Sequence, residues 1–176
     1  MRVIAGKLGG RTFDSPHSHR THPMSDKIRG ALFNTLGDIE GLTVLDAFAG
    51  SGAISFEAIS RGASQVIAIE QDKAAQRIIA ENIRNLGIVQ TVKLIKTSAS
   101  SWLQTSSGAT FDIVILDPPY DDVQSSLIQR LAATVSHDGV LVISWPGSME
   151  PLHFDGLEQI KRRTYGDAQL LFYTPN

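Results

Sequence analysis

The sequence predicts an α/β fold, a mostly parallel sheet wrapped by helices with an antiparallel edge near the C-terminal end. Three observations predict it. Short apolar runs at 42–46, 65–70, 92–95, 112–117 and 140–143 read as buried strands. Segments 52–61, 72–86 and 122–135 read as helices between them, and alternation of strand and helix makes successive strands parallel. Apolar positions at Ile160, Tyr165 and 170–173 then predict one or two antiparallel strands at an edge.

The elements justify themselves in order. Residues 2–13 hold two short extended stretches around a glycine-rich turn and predict a small β-hairpin. Residues 14–24, rich in Ser, His and Pro, predict a loop. Ser25 is placed to cap a helix from Asp26 to Leu36, whose face of Ile28, Leu32, Phe33 and Leu36 is apolar. Arg61-Gly62, Leu86-Gly87 and Asp138-Gly139 supply stop signals further on. The expected division is an N-terminal hairpin-and-helix extension, 1–36, and a unit carrying the sheet, 37–176.

Composition narrows the class. With 176 residues and 42% hydrophobic content the chain fits one ordinary domain. The absence of cysteine excludes disulfides and thiolate-held zinc, and the five histidines lack metal-binding spacing, so no metal is expected. Charges begin at Arg2 and no apolar run approaches the ~18 residues of a membrane span, which predicts a cytoplasmic protein away from membranes. The net charge of −2 conceals an asymmetry: residues 1–30 hold six Lys/Arg against two Asp/Glu, whereas the remainder holds ten against sixteen. The basic start marks Arg2, Lys7, Arg11, Arg20, His22, Lys27 and Arg29 as candidate contacts to a polyanion.

The first sheet strand runs into Asp46-Ala47-Phe48-Ala49-Gly50-Ser51-Gly52 and then a helix, the place where an α/β sheet sets a glycine-rich turn beneath a ligand. Such a turn wants glycine whether or not anything binds. Glu70, eighteen residues beyond Gly52 at the end of the second strand, adds a carboxylate suited to ribose hydroxyls. A dinucleotide site would place a third glycine where this chain has Ser55. Asp46 would repel a pyrophosphate but suits the ammonium and sulfonium of S-adenosylmethionine, the cofactor this pattern predicts. Phe48, Ser51 and Gln71 join Asp46, Gly50, Gly52 and Glu70 as candidate cofactor residues, and Ser98 and Ala99, after the third strand, stand where the adenine would be bracketed.

The fourth strand ends in Asp117-Pro118-Pro119-Tyr120. The prolines fix φ and restrict the residues before them, so Asp117 and the Pro118 carbonyl form a rigid pair of acceptors. Two acceptors on the N–H bonds of a base amino group favour a localised lone pair aimed at a methyl carbon. Tyr120 can stack on a base turned out of its structure. All four residues are catalytic-loop candidates.

Nearly end to end, the chain resembles the RsmD-like family of 16S ribosomal RNA guanine-N2 methyltransferases. The resemblance is carried by Arg2-Val3-Ile4-Ala5-Gly6, Gly10-Arg11, His22-Pro23-Met24-Ser25-Asp26-Lys27-Ile28-Arg29, Leu32-Phe33-Asn34, Phe48-Ala49-Gly50-Ser51-Gly52-Ala53, Glu57-Ala58-Ile59-Ser60-Arg61-Gly62, the Asp117–Tyr120 loop and Tyr165-Gly166-Asp167. It departs where the family reads Arg-Pro-Thr-Thr-Asp-Arg and this chain has His22-Pro23-Met24-Ser25-Asp26-Lys27, and where Gly30 replaces a glutamate. The resemblance implies a Rossmann-like class I S-adenosylmethionine-dependent methyltransferase fold. It further implies a monomeric enzyme acting on 16S rRNA in the small subunit or its assembly intermediate, with Asp117 catalytic and residues 1–36 on the RNA. The loop serves adenine-N6 and cytosine-N4 chemistry equally well, so a DNA methyltransferase stays open as an alternative, as does a non-catalytic assembly factor that binds RNA.

Overall fold

The computed structural model describes residues 1–16, 24–121 and 124–176. Its elements are α1 (Asp26–Leu36), β1 (Thr43–Asp46), α2 (Ala53–Ser60), β2 (Gln65–Ile69), α3 (Lys73–Leu86), β3 (Val92–Ile95), α4 (Ala99–Thr105), β4 (Phe111–Leu116), α5 (Ser125–Ala132), β5 (Val135–Pro146), β6 (Leu157–Tyr165) and β7 (Ala168–Pro175). The strands form one seven-stranded sheet in the order β3-β2-β1-β4-β5-β7-β6. The first five are parallel, and β7 and β6 add an antiparallel edge. The fold class expected from the sequence is therefore the one observed.

Side chains alternate across the sheet, and each face carries its own core. Val44, Val66, Ile113, Ile115, Val142, Leu170 and Phe172 pack with residues of α1, α2 and α3 on the first face. Leu45, Val114, Leu116, Leu141, Ile143, Leu171 and Tyr173 pack with α4 and α5 on the second. Because both faces are covered, the strands are continuous apolar runs, and polar groups follow at their carboxyl ends, where an open α/β sheet sets its ligand crevice.

The opening hairpin is present, and two other elements depart from expectation. The hairpin closes through the Met1 and Phe13 N–H groups donating to each other's carbonyls (3.0 Å each), Val3 N–H to the Arg11 carbonyl (2.9 Å) and the antiparallel Arg2–Thr12 bridge, and its turn is docked on α2: Lys7 N–H donates to the Ser60 carbonyl (2.7 Å) and Leu8 N–H to the Ser60 hydroxyl (2.8 Å). Gly6 lies so close to the Ser60 carbonyl that a Cβ would overlap it. Asp138-Gly139, read as a helix stop, lies inside β5, where a Cβ at Gly139 would come within 2.8 Å of the Asp112 carbonyl. The glycine allows β5 to approach β4 at its register shift between Phe111 and Ile113. Helix α4 was unassigned in the sequence; at seven residues it offers too few turns for a periodic face.

The N-terminal segment is held by one buried carboxylate. Glu57 on α2 has no exposed side-chain surface, and it accepts from Ile4 N–H (2.8 Å), Ala5 N–H (3.1 Å) and Arg61 Nε (2.7 Å). Arg29 Nε lies 3.8 Å away, also fully buried. Removing the acid leaves two backbone donors and Arg61 Nε without an acceptor and takes the nearest buried counter-charge from Arg29. Glu57→Ala is expected to cost about 3–5 kcal/mol, read as a lowered urea midpoint, and to expose the first ten residues to limited proteolysis.

Candidate active site

The strand order reverses between β1 and β4, which run parallel side by side while their connections leave in opposite directions. This is the switch point at which an open α/β sheet gains a crevice above its carboxyl ends. Asp46 ends β1 and Asp117 follows β4 by one residue.

The β1–α2 loop is built around glycine. Gly50 and Gly52 have φ of 56° and 81°, in the left-handed region, and a Cβ on Gly52 would sit 2.5 Å from the Phe56 ring. The loop is tied to the end of β2 by Ala49 N–H to the Ile69 carbonyl (2.9 Å) and Gly50 N–H to Glu70 Oε2 (2.8 Å). Glu70 Oε1 accepts from Asp72 N–H (2.7 Å). Both carboxylate oxygens are thereby fixed, and each retains a lone pair for a ribose hydroxyl.

Asp46 is fully buried. Ser55 donates to its Oδ2 at 2.6 Å, and among the described residues its Oδ1 has no hydrogen-bond partner. Desolvation pushes its pKa up to about 7; Ser55 opposes the shift, while the charges of Asp117 and Glu70 reinforce it. A buried acceptor without a donor, in a cluster of three carboxyl groups, fits the ammonium of S-adenosylmethionine. Asp46, the Gly50–Gly52 backbone and Glu70 are the residues that would hold it.

Of the remaining cofactor candidates, Phe48 is half-buried against the second core, Ser51 is buried and Gln71 is exposed. Ser98 caps α4, its hydroxyl oxygen accepting from Ser101 N–H (3.1 Å), and Ala99 behind it is buried.

The Asp117 carboxyl is desolvated, which raises its pKa to about 6, against a lowering hydrogen bond from Ser144. Pro118 is buried, while Pro119 and Tyr120 face outward. The Tyr120 residue is 40% exposed, its hydroxyl lying 2.7 Å from Ser144 Oγ. Ser144 sits beside Asp117, since Leu116 pairs with Ile143 one residue earlier on β4 and β5. Sequence reasoning missed both Ser55 and Ser144. A signal for Ser144 existed, a hydroxyl between apolar Ile143 and Trp145; Ser55 stood out only as the missing third glycine.

The polyanion candidates separate. Arg2 and Lys7 are exposed but meet Asp26 (3.4 Å) and Glu40 (3.8 Å). Arg11 donates to the carbonyls of Asn85 (2.7 Å) and Leu86 (3.1 Å) at the end of α3. Lys27 is exposed. Arg29 is corrected: it is buried, bound to Asp26 (2.9 Å) and to the Met24 and Arg2 carbonyls, and offers no surface to a phosphate. Arg20 and His22 lie outside the described residues.

The fold and this crevice define a class, the S-adenosylmethionine-dependent methyltransferases. Within it the chain belongs to the family described as conserved hypothetical protein 95, the RsmD family, whose model matches residues 1–174. Bacillus subtilis YlbH, a proposed rRNA methyltransferase, is 28% identical over 98% of each chain. Ribosomal RNA small subunit methyltransferase D of Escherichia coli is 36% identical over 68% of this chain, an alignment that spans 60% of the relative's own length. The solved structure of Escherichia coli yhhF, a proposed methyltransferase, superposes with a TM-score of 0.88 at 26% identity, covering 100% of this chain and 98% of the other.

The raised Asp46 pKa has a consequence for stability. An Asp ionises near 3.8 when unfolded and near 7 in the fold, so its burial costs nothing at low pH and progressively more as pH rises between those values. Asp46→Asn, which keeps an acceptor for Ser55, is expected to raise the melting temperature of the cofactor-free protein at pH 8, by a margin that shrinks toward zero near pH 4. The same variant should bind S-adenosylmethionine about 10- to 100-fold more weakly by calorimetry, the loss of one charge-assisted hydrogen bond.

Proposed function

We propose that the chain methylates the exocyclic N2 amino group of a guanine in 16S ribosomal RNA, acting in the cytoplasm on the small subunit or its assembly intermediate. The observation that carries this reading is the desolvated Asp117 carboxyl beside the Asp46–Glu70 crevice, followed by two prolines and an outward-facing tyrosine. The ribosomal substrate rests on the relatives named for the RNA of the small subunit; residues 1–36, the family's opening segment, would meet it.

When bound, S-adenosylmethionine supplies an electrophilic methyl group on sulfonium. Asp117 and the Pro118 carbonyl accept the two N–H bonds of the amino group and direct its lone pair outward from the base plane. Tyr120 stacks on the base, and its hydroxyl bond to Ser144 fixes the ring relative to Asp117. The nitrogen sheds a proton on methylation, and Asp117 stands where that proton leaves. Most of the acceleration then comes from positioning and from fixed charge.

Asp117 can take up the departing proton, and accepts most strongly, only as a carboxylate, so kcat/KM should fall as pH drops through about 6. Ser144 lowers the Asp117 pKa, so Ser144→Ala should move that acid limb to higher pH as well as reduce kcat; a lower rate with an unmoved limb would leave Ser144 a packing residue. Asp117→Ala should abolish turnover while binding of S-adenosylmethionine survives, and turnover within tenfold of wild type would overturn its role. The substrate is tested by incubating the protein and labelled S-adenosylmethionine with small subunits lacking the modification, free 16S RNA and duplex DNA, followed by nucleoside analysis. Label in N2-methylguanosine supports the proposal; label in methylated adenine or cytosine overturns the substrate; no transfer favours a binding factor.

A further inference from the structure

The cations counted at the start of the chain are largely engaged within the fold, whereas a second group lies where the sequence reading placed none. Strand β6 ends with Lys161, Arg162 and Arg163, all exposed, before Thr164 and Tyr165. β6 is one of the two outer strands of the sheet and, among the described residues, pairs with β7 alone. Among the described residues no acid or carbonyl engages these three side chains, in contrast to Arg2, Lys7, Arg11 and Arg29.

Register places one of them in line with the catalytic loop. Leu116 pairs with Ile143, so Asp117 and Ser144 lie side by side. Ser144 pairs with Leu170, and Leu170 with Arg163. Directly opposed residues project to the same face. Asp117, Ser144, Leu170 and Arg163 thus form one row across four strands on the face covered by α1–α3. At ~4.8 Å per strand the row spans roughly 14 Å, a distance of about two to three nucleotides of extended backbone. Lys161 shares this face two residues back; Arg162, paired with Leu171 of the second core, projects to the other.

We propose that Arg163, supported by Lys161, holds an RNA phosphate next to the nucleotide whose base enters beside Tyr120. This inference rests on the RNA substrate proposed above. Positive residues on an outer strand also prevent sheet-to-sheet association, but that role needs charge on either face, whereas a phosphate clamp needs it on the face of the site. The crevice itself carries Asp46, Glu70 and Asp117, so phosphates are repelled from its floor and are held only by cations at its rim.

The test is filter binding of in-vitro transcribed 16S RNA and of small subunits, with S-adenosylhomocysteine present, across a salt series. Arg163→Ala is expected to weaken RNA binding about fivefold or more near 0.1 M salt and to reduce the slope of log K against log salt by about one, with melting temperature and S-adenosylhomocysteine affinity unchanged. Arg163→Lys should restore most of the affinity, and Arg162→Ala should stay within twofold of wild type. Equal losses from Arg162→Ala and Arg163→Ala would overturn the face-specific contact in favour of diffuse charge, and unchanged affinity in Arg163→Ala would overturn it outright. Normal binding of free RNA with weakened binding of subunits would assign the strand to a protein partner and overturn the phosphate assignment. The identity of the methylated nucleoside is read separately, so a wrong base would fail the proposed function while this binding result stood or fell by itself.

Discussion

The crevice depends on a carboxylate buried at the carboxyl end of the central strand. β1 lies between β2 and β4 with apolar layers on both faces, so Asp46 has no access to water. Ser55 meets one oxygen, and among the described residues no donor meets the other. Leaving a charge in that position is costly, and the group responds by holding its proton to about pH 7. Glu70 and Asp117 make the repulsion worse rather than better. A bound cation offsets the repulsion among the three acids and compensates the charge that burial penalises, so the cofactor-free crevice is an arrangement that binding of a cationic ligand relaxes. The fold tolerates this local cost because its two continuous cores are otherwise closed.

A second buried carboxylate shows the opposite solution. Glu57 is as inaccessible as Asp46, but the chain supplies its donors: two backbone N–H groups of the opening segment and Arg61, with Arg29 nearby. One buried acid is closed by the protein and joins an extension to the core; the other is left with an open oxygen in the crevice. The distinction separates a structural acid from one awaiting a ligand more clearly than burial does, because burial is the same for both.

Much of this was legible in the sequence, for identifiable reasons. The five parallel strands were visible as apolar runs because both faces of the sheet are covered, and α1 kept its expected bounds because Ser25 caps it and Gly37 ends it. Asp46, Glu70 and Asp117 were legible because each is an acid at the end of an apolar run. What stayed hidden depends on contacts between elements. Ser55 reaches back to β1, Ser144 reaches across from β5, and the register that puts Arg163 in line with Asp117 is a property of four strands together. The hairpin was legible from its glycine-rich turn, whereas the docking of that turn on Ser60, a partner more than fifty residues away, was not.

Charge was the property that sequence represented least well. The basic opening segment looks like a polyanion surface, yet Arg29 is buried and Arg11 ends α3. An ion pair satisfied within the fold contributes less to an external phosphate than an unpaired one of the same type, so formal charge overstates that surface. The acidic crevice sharpens the point. A polyanion approaching three carboxyl groups is repelled, while a neutral base is not, and methyl transfer requires only the base to enter. The same charges that favour a cationic cofactor therefore impose a division on the proposed RNA: its base goes in, past Tyr120, and its backbone stays at the rim. Specificity for an extruded nucleotide would then be set in part by electrostatics, before any hydrogen bond to the base is made.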